Sequence, residues 1–140
     1  MARILVVDDD PDFVEIVRML LQSRGHLVDA ASSDELAFQS MDAHTPDIIL
    51  LDMMLSFVLD GFTIARKMRE SPTLKEIPIL VVSSLTEQQC RSMCPGCGWI
   101  TLDGWITKPI HPEVLFQEVE SRLNRPLPDR QIMEQDEAGM

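Results

Sequence analysis

Ile48-Ile49-Leu50-Leu51-Asp52 is the stretch on which the fold turns. Four apolar residues in succession, two of them β-branched, run directly into a carboxylate. A short apolar run without polar alternation reads as a strand covered on both faces. Asp47 and Asp52 mark its ends. Asp52 is therefore expected at the carboxyl end of a buried strand, the edge where open α/β sheets bind their ligands. Taken alone, Asp52 reads equally well as a helix cap or a solvated turn residue. The flanking stretches decide.

Upstream, Arg3–Val7 is a second apolar, β-branched run, and it ends in Asp8-Asp9-Asp10. Downstream, Ile77–Val82 ends in Ser83-Ser84, with Pro78 tolerated at the start of a strand. Trp105-Ile106-Thr107 is a short last strand followed by Lys108-Pro109. His26–Ala31 alternates loosely and reads as a further strand.

Helical spacing fills the gaps. Asp10 and Pro11 open a helix to about Ser23, with Phe13, Ile16, Val17, Leu20 and Leu21 on its apolar face and Gly25 as a left-handed cap. Ser32 or Ser33 caps a helix over about Asp34–Ala43. After a loop at Ser56–Leu59, Asp60-Gly61 signals a helix over about Phe62–Glu70. Thr86 caps one that runs to about Met93, where Cys94-Pro95-Gly96-Cys97-Gly98 stops it. Pro112 opens the last, with Val114, Leu115, Val119 and Leu123 on its buried face. The methionines fall mostly at helical core positions.

Strand and helix thus alternate five times, which predicts a parallel sheet with helices on both faces. A local repeat, Gly98-Trp99-Ile100-Thr101 and Gly104-Trp105-Ile106-Thr107, offers two registers for the last strand. The second copy is preferred, because it puts Lys108 at the strand's carboxyl end.

Composition sets the outer bounds. The 140 residues suit one domain, residues 1–124, followed by an acidic, proline-containing tail or linker stub over 125–140. A net charge of −11 argues against direct nucleic-acid binding and suits a carboxylate-lined metal site or a basic partner. No apolar run is long enough for a membrane helix, and Met1-Ala2-Arg3-Ile4 is no signal peptide, so a cytoplasmic protein is expected.

In a parallel sheet the strand ends share one edge. Asp8, Asp9, Asp52, Ser83 and Lys108 would then converge on a shallow pocket. Carboxylates held close together repel unless a cation or a proton sits between them. Mg²⁺ takes octahedral oxygen ligands, commonly one or two carboxylates with water and a phosphate. Lys108 can neutralise Asp52 or a phosphoryl oxygen, and Ser83 can donate to that oxygen. These are the parts for in-line phosphoryl transfer to Asp52.

Asp8-Asp9, Asp52, Ser83 and Lys108-Pro109, in that order and near that spacing, resemble the receiver domain of two-component response regulators over about Arg3–Asn124. The resemblance implies a flavodoxin-like, doubly wound, five-stranded parallel sheet of order 2-1-3-4-5. It implies Asp52 as phosphoacceptor from a histidine kinase or phosphotransfer protein. Mg²⁺ would be held by Asp9, Asp52 and the Met54 carbonyl, with Asp8 acting through water. Ser83 and Trp105 are the switch hydroxyl and switch aromatic, and a cis bond is expected before Pro109. Met54 and Leu85 occupy the positions that tune hydrolysis, and neither can orient a water, so slow self-dephosphorylation is expected. An output partner, with a phosphorylation-dependent dimer as one form of it, is implied. The chain would act as a single-domain regulator and not as an enzyme beyond its own phosphoryl transfer and dephosphorylation.

The sequence departs from the family where a proline is usual and Ser56 stands, and where a glycine is usual and Asp60 stands, Gly61 following one residue later. The segment through Trp99–Leu102 is also longer than usual. A phosphorylation-independent docking module is the alternative that the shifted Gly61 loop raises. Cys90, Cys94 and Cys97 raise another, a redox or metal sensor, although no fourth thiol closes a zinc site. His26, His44 and His111 show no ligand spacing and read as surface or loop residues.

Overall fold

A computed structural model describes residues 2–55, 60–93 and 101–123. The expected loop at 56–59, the stop over 94–98 and the tail from 124 onward lie outside these. The elements are β1 (Arg3–Val7), α1 (Pro11–Gln22), β2 (Leu27–Ala31), α2 (Asp34–Ala43), β3 (Ile48–Leu51), α3 (Asp60–Glu70), β4 (Ile79–Ser83), α4 (Glu87–Met93), β5 (Gly104–Thr107) and α5 (Pro112–Leu123). The strands form one parallel sheet in the order β2-β1-β3-β4-β5. The expected flavodoxin-like architecture is the observed one.

Period-two alternation splits the strands between two cores. Leu5, Val7, Ile49, Leu51, Ile79 and Val81 face one, closed by Ala37 and Met41 of α2, Phe62, Ile64, Ala65 and Met68 of α3, and Cys90 of α4. Ile4, Val6, Ile48, Leu50, Leu80 and Val82 face the other, closed by Val17 and Leu21 of α1 and Leu115 and Val119 of α5. This two-sided cover is why β3 and β4 read as unbroken apolar runs.

Local chemistry sets the helix ends. Asp10 accepts hydrogen bonds from the Asp12 and Phe13 amides and Pro11 takes the first turn of α1. Gly25, at φ 86°, turns the chain out of that helix. Ser33, not Ser32, caps α2 through the Leu36 amide. Thr86 and Gln89 satisfy each other's amides at the start of α4, a capping box.

Several expectations are corrected. β4 begins at Ile79, beyond Pro78, whose carbonyl still accepts from the Ile49 amide. A proline brings no N–H to a ladder, which leaves the pairing to start one residue on. α3 starts at Asp60 rather than Phe62. Ile16 and Val114, expected on buried faces, are 54% and 40% exposed. The sheet covers only the stripe through Val17 and Leu21 on α1, and through Leu115 and Val119 on α5. Of the helical methionines, Met41 and Met68 are buried while Met19 and Met93 are exposed.

His26 lies in the connection between α1 and β2, a loop position as expected, but its side chain is engaged. Its side chain lies within hydrogen-bonding reach of Glu120, at 3.2 Å, and its Nδ1 accepts from the Ala2 amide at 3.4 Å. Arg24 pairs with the same carboxylate at 2.6 Å, and holds Glu120 down to about 2. Together these contacts tie the end of α1 to α5.

The repeat settles into its second copy, and the residue before that copy explains why. Asp103 accepts from the Ile79 amide at 2.8 Å and from Arg69 at 3.0 Å. Arg122 donates twice to the Asp103 carbonyl. Cys97, the corresponding residue before the first copy, has no carboxylate to offer. Among the described residues no helix is long and apolar enough to cross a membrane.

Candidate functional site at the carboxyl edge of the sheet

Strand register brings the expected residues together. Val7 of β1 pairs with Leu51 of β3, so the next residues, Asp8 and Asp52, leave the sheet side by side. Ser83 pairs with Thr107, which puts Lys108 one step beyond the edge. The Lys108 amide then donates to the Ser83 carbonyl at 2.7 Å and turns its side chain back over β3 and β1.

Lys108 Nζ lies 2.8 Å from Asp8 Oδ2 and 3.3 Å from Asp52 Oδ2. Asp8 and Asp52 are both buried, at 3% and 6% exposure. Their other oxygens are held too: the Asp10 amide donates to Asp8 Oδ1 at 2.9 Å, and the Met54 amide to Asp52 Oδ1 at 3.0 Å. Burial pushes the Asp52 carboxyl above its ordinary value. The Met54 amide and Lys108 oppose this, and the charge of Asp8 adds to it. Burial pulls Lys108 down, but its hydrogen bond and charge pairing with Asp8 and Asp52 prevail and hold it above its ordinary value. The third group is aromatic, since the ammonium sits 4.1 Å from the centroid of the Phe13 ring. Nothing in the spacing of α1 marked Phe13 as more than a core residue.

Ser83 is fully buried at the end of β4, and its Oγ accepts from the Leu85 amide at 3.2 Å. Its O–H remains a donor. Trp105 is partly buried against the α2–α4 core, and its indole donates to the Leu85 carbonyl at 2.9 Å. Ser83 and Trp105 are thus joined through one residue, Leu85. The Lys108–Pro109 bond is cis, as expected.

Asp9 is exposed beside its buried neighbour. Among the described residues no three His, Cys, Asp or Glu side chains are gathered tightly enough to hold a metal alone. The carboxylates on hand are hard oxygen donors, and Mg²⁺ keeps several waters and asks for only one or two of them. The residues at this edge fit that ion.

Gly61 explains the displaced glycine. Its amide donates to the Met53 carbonyl at 3.2 Å. A Cβ there would run into the Asp52 carbonyl oxygen and sit 2.7 Å from Met53 Cα. The close approach of α3 to the backbone of Asp52 falls on Gly61. Cys90 is fully buried, and burial with the charge of Asp52 pushes its thiol up, the opposite of a reactive cysteine. Cys94 and Cys97 lie outside the described residues.

Comparison with known proteins agrees with this geometry. The profile of the response regulator receiver domain matches residues 4–120. The DNA-binding dual master transcriptional regulator RpaA of Synechocystis is 33% identical over 129 residues, covering 89% of this chain and 50% of its own length. The response regulator PleD of Caulobacter vibrioides is 35% identical over 120 residues, covering 86% of this chain and 26% of its own. The chain therefore spans half of one relative and about a quarter of the other. A two-component response regulator from Clostridium difficile superposes with a TM-score of 0.76 at 27% identity, covering 89% of this chain and 98% of that one. The receiver domain of the sensor histidine kinase PA1611 of Pseudomonas aeruginosa, solved with a magnesium ion coordinated in its active-site cleft, gives 0.78 at 24% identity over 89% of this chain and 98% of its own. That last likeness speaks for the fold alone. A doubly wound sheet carrying a lysine between two strand-end aspartates, with a profile match across nearly all of the described chain, leads to one assignment: this chain belongs to the response regulator receiver domain family.

Proposed function

We propose that Asp52 accepts a phosphoryl group from a histidine kinase or phosphotransfer protein and that the change in charge alters partner binding. The observation that carries this is the Lys108 ammonium held between Asp8 and Asp52 at the carboxyl edge of the sheet. In the step, an Asp52 oxygen forms a bond to phosphorus as the bond from phosphorus to the donor's imidazole nitrogen breaks. The electron pair leaves with the imidazole, which takes up a proton. Asp9, Asp52 and the Met54 carbonyl would hold Mg²⁺, with Asp8 acting through water. Bound there, Mg²⁺ neutralises charge on the phosphoryl oxygens. Lys108 releases Asp52 Oδ2 and pairs with a phosphoryl oxygen, and the Ser83 hydroxyl turns toward the same group.

Ser83 and Trp105 meet at Leu85, so a shift of Ser83 reaches Trp105 and the start of α4 directly. The readout is a population shift between two arrangements of that surface. The folded unit spans 1–124, with 125–140 as a tail or linker, and the protein works in the cytoplasm, without contacting nucleic acid itself. Its catalysis is confined to its own phosphorylation and dephosphorylation. A phosphorylated form that binds an output protein, or a second copy, completes the reading.

Incubation with Mg²⁺ and acetyl phosphate, followed by intact mass measurement, tests this. A single phosphoryl adduct on the parent and none on Asp52→Asn is the expected result. A folded parent that gains no adduct overturns it.

A further inference from the structure

We propose that Phe13 is a positioning residue for phosphoryl transfer, its ring face holding the Lys108 ammonium over Asp8 and Asp52. The proposal deepens the reading above and rests on it. Three groups meet Lys108 Nζ: Asp8 at 2.8 Å, Asp52 at 3.3 Å and the Phe13 centroid at 4.1 Å. Two of the three change during the reaction. Asp52 gives up its carboxylate charge when it becomes an acyl phosphate, and Asp8 is asked to serve a metal. The ring alone offers the same face before and after.

Phe13 is itself fixed. It lies in the first turn of α1, its amide is capped by Asp10, and its ring packs against the core shared by α1 and α5. Lysine needs such a wall more than arginine would, because its ammonium is a compact, strongly hydrated charge on a flexible stem. A ring face attracts the ammonium through its quadrupole and keeps water off one side of it. Filling space is the simpler role for an apolar residue here, and leucine would serve that role equally well.

A fluorine series separates the two. Phenylalanine carrying one, two or three ring fluorines at position 13 keeps its shape closely while draining negative charge from the ring face. Phe13→Trp strengthens that face and Phe13→Leu removes it. Each protein is given Mg²⁺ and acetyl phosphate, and the rate of adduct formation is followed by intact mass. Here an Asp52 oxygen bonds to phosphorus as the bond from phosphorus to the acetate oxygen breaks and acetate departs with the electron pair. Urea unfolding is run in parallel.

The expected result is a rate that falls step by step with fluorine count, by about three- to tenfold at three fluorines, with Phe13→Leu as slow and Phe13→Trp at least as fast as the parent. Unfolding midpoints of the fluorinated proteins fall by no more than ~0.5 M urea, as the loss of a ring contact of ~1 kcal/mol allows, so each stays folded in the assay. Rates that ignore fluorine count, or that fall only in proteins no longer folded under the assay conditions, overturn the proposal while leaving the phosphoacceptor reading intact. A parent that takes no adduct overturns both, and that outcome is visible before any variant is compared.

Discussion

Gly61→Ala puts a single methyl group where α3 meets the backbone of Asp52. The methyl would collide with the Asp52 carbonyl oxygen, lie 2.7 Å from Met53 Cα and touch Met53 Sδ at 3.0 Å. Two of these are backbone atoms, anchored because the Asp52 amide donates to the Val7 carbonyl across β1 and β3. Relief therefore requires α3 to move. Overpacking of this kind costs ~3 kcal/mol. Alanine returns ~0.5–1 kcal/mol through its better helix propensity. The steric term wins, leaving a net loss of ~2 kcal/mol. With a urea slope of ~2 kcal/mol per molar, the unfolding midpoint falls by ~1 M. Phosphoryl acceptance falls as well, because the displaced backbone carries the Asp52 side chain. Gly25→Ala is the control, since its site at φ 86° is open space and the methyl meets nothing within 4 Å. There the loss is conformational alone, ~1 kcal/mol, with no effect on the Asp52 reaction. A Gly61→Ala protein that melts within ~0.3 M urea of the parent would refute the contact with the Asp52 backbone.

Other expectations concern the charges at the same edge. Burial holds Asp52 above its ordinary 3.8, so the folded chain binds the proton more readily than the unfolded one and stability drops as pH rises through that range. Asp52→Asn should be more stable than the parent at neutral pH and lack that drop, which urea melts across a pH series would register. Lys108→Met leaves two buried carboxylates facing each other and should lose ~2–3 kcal/mol by the same melts. In an Asp52→Asn background the loss should shrink, as a double-mutant cycle would show. Asp103→Ala strips the Ile79 amide and Arg69 of one partner, for a loss of ~2–3 kcal/mol, with Trp105 emission shifting as β5 loosens. Finally, Met54 and Leu85 offer no polar group to orient a hydrolytic water, so the phosphorylated chain should persist well beyond seconds in Mg²⁺. A mass time course that shows decay within seconds would count against this.

The strand-end residues were legible because they are local signals. An apolar run announces a covered strand, and the polar residue that stops it announces the edge. Order and spacing then carried Asp8, Asp52, Ser83 and Lys108 to one place. What escaped was whatever depends on width or on distant contact. Ile16 sits among apolar helical neighbours, yet how much of a helix face is covered depends on how the helix lies on the sheet. Phe13 meets Lys108 from the far end of the chain, and no periodicity in α1 distinguishes a ring over an ammonium from a ring in a core. His26 likewise found Glu120 only through the packing of α5. Gly61 is intermediate: its displacement was visible, but its purpose required the Asp52 carbonyl beside it.

The clamp at Asp103 has a consequence for how such a chain can change. Asp103, Arg69 and Arg122 lie at the amino end of β5, while Lys108 and Trp105 are counted forward from there along the strand. The clamp thus works as a datum: everything after it is measured from one fixed point. Residues inserted or lost between Met93 and Thr101 alter the path into that point but not the count beyond it. The α4–β5 connection is thereby free to drift in length and composition. The lysine keeps its place over the aspartates.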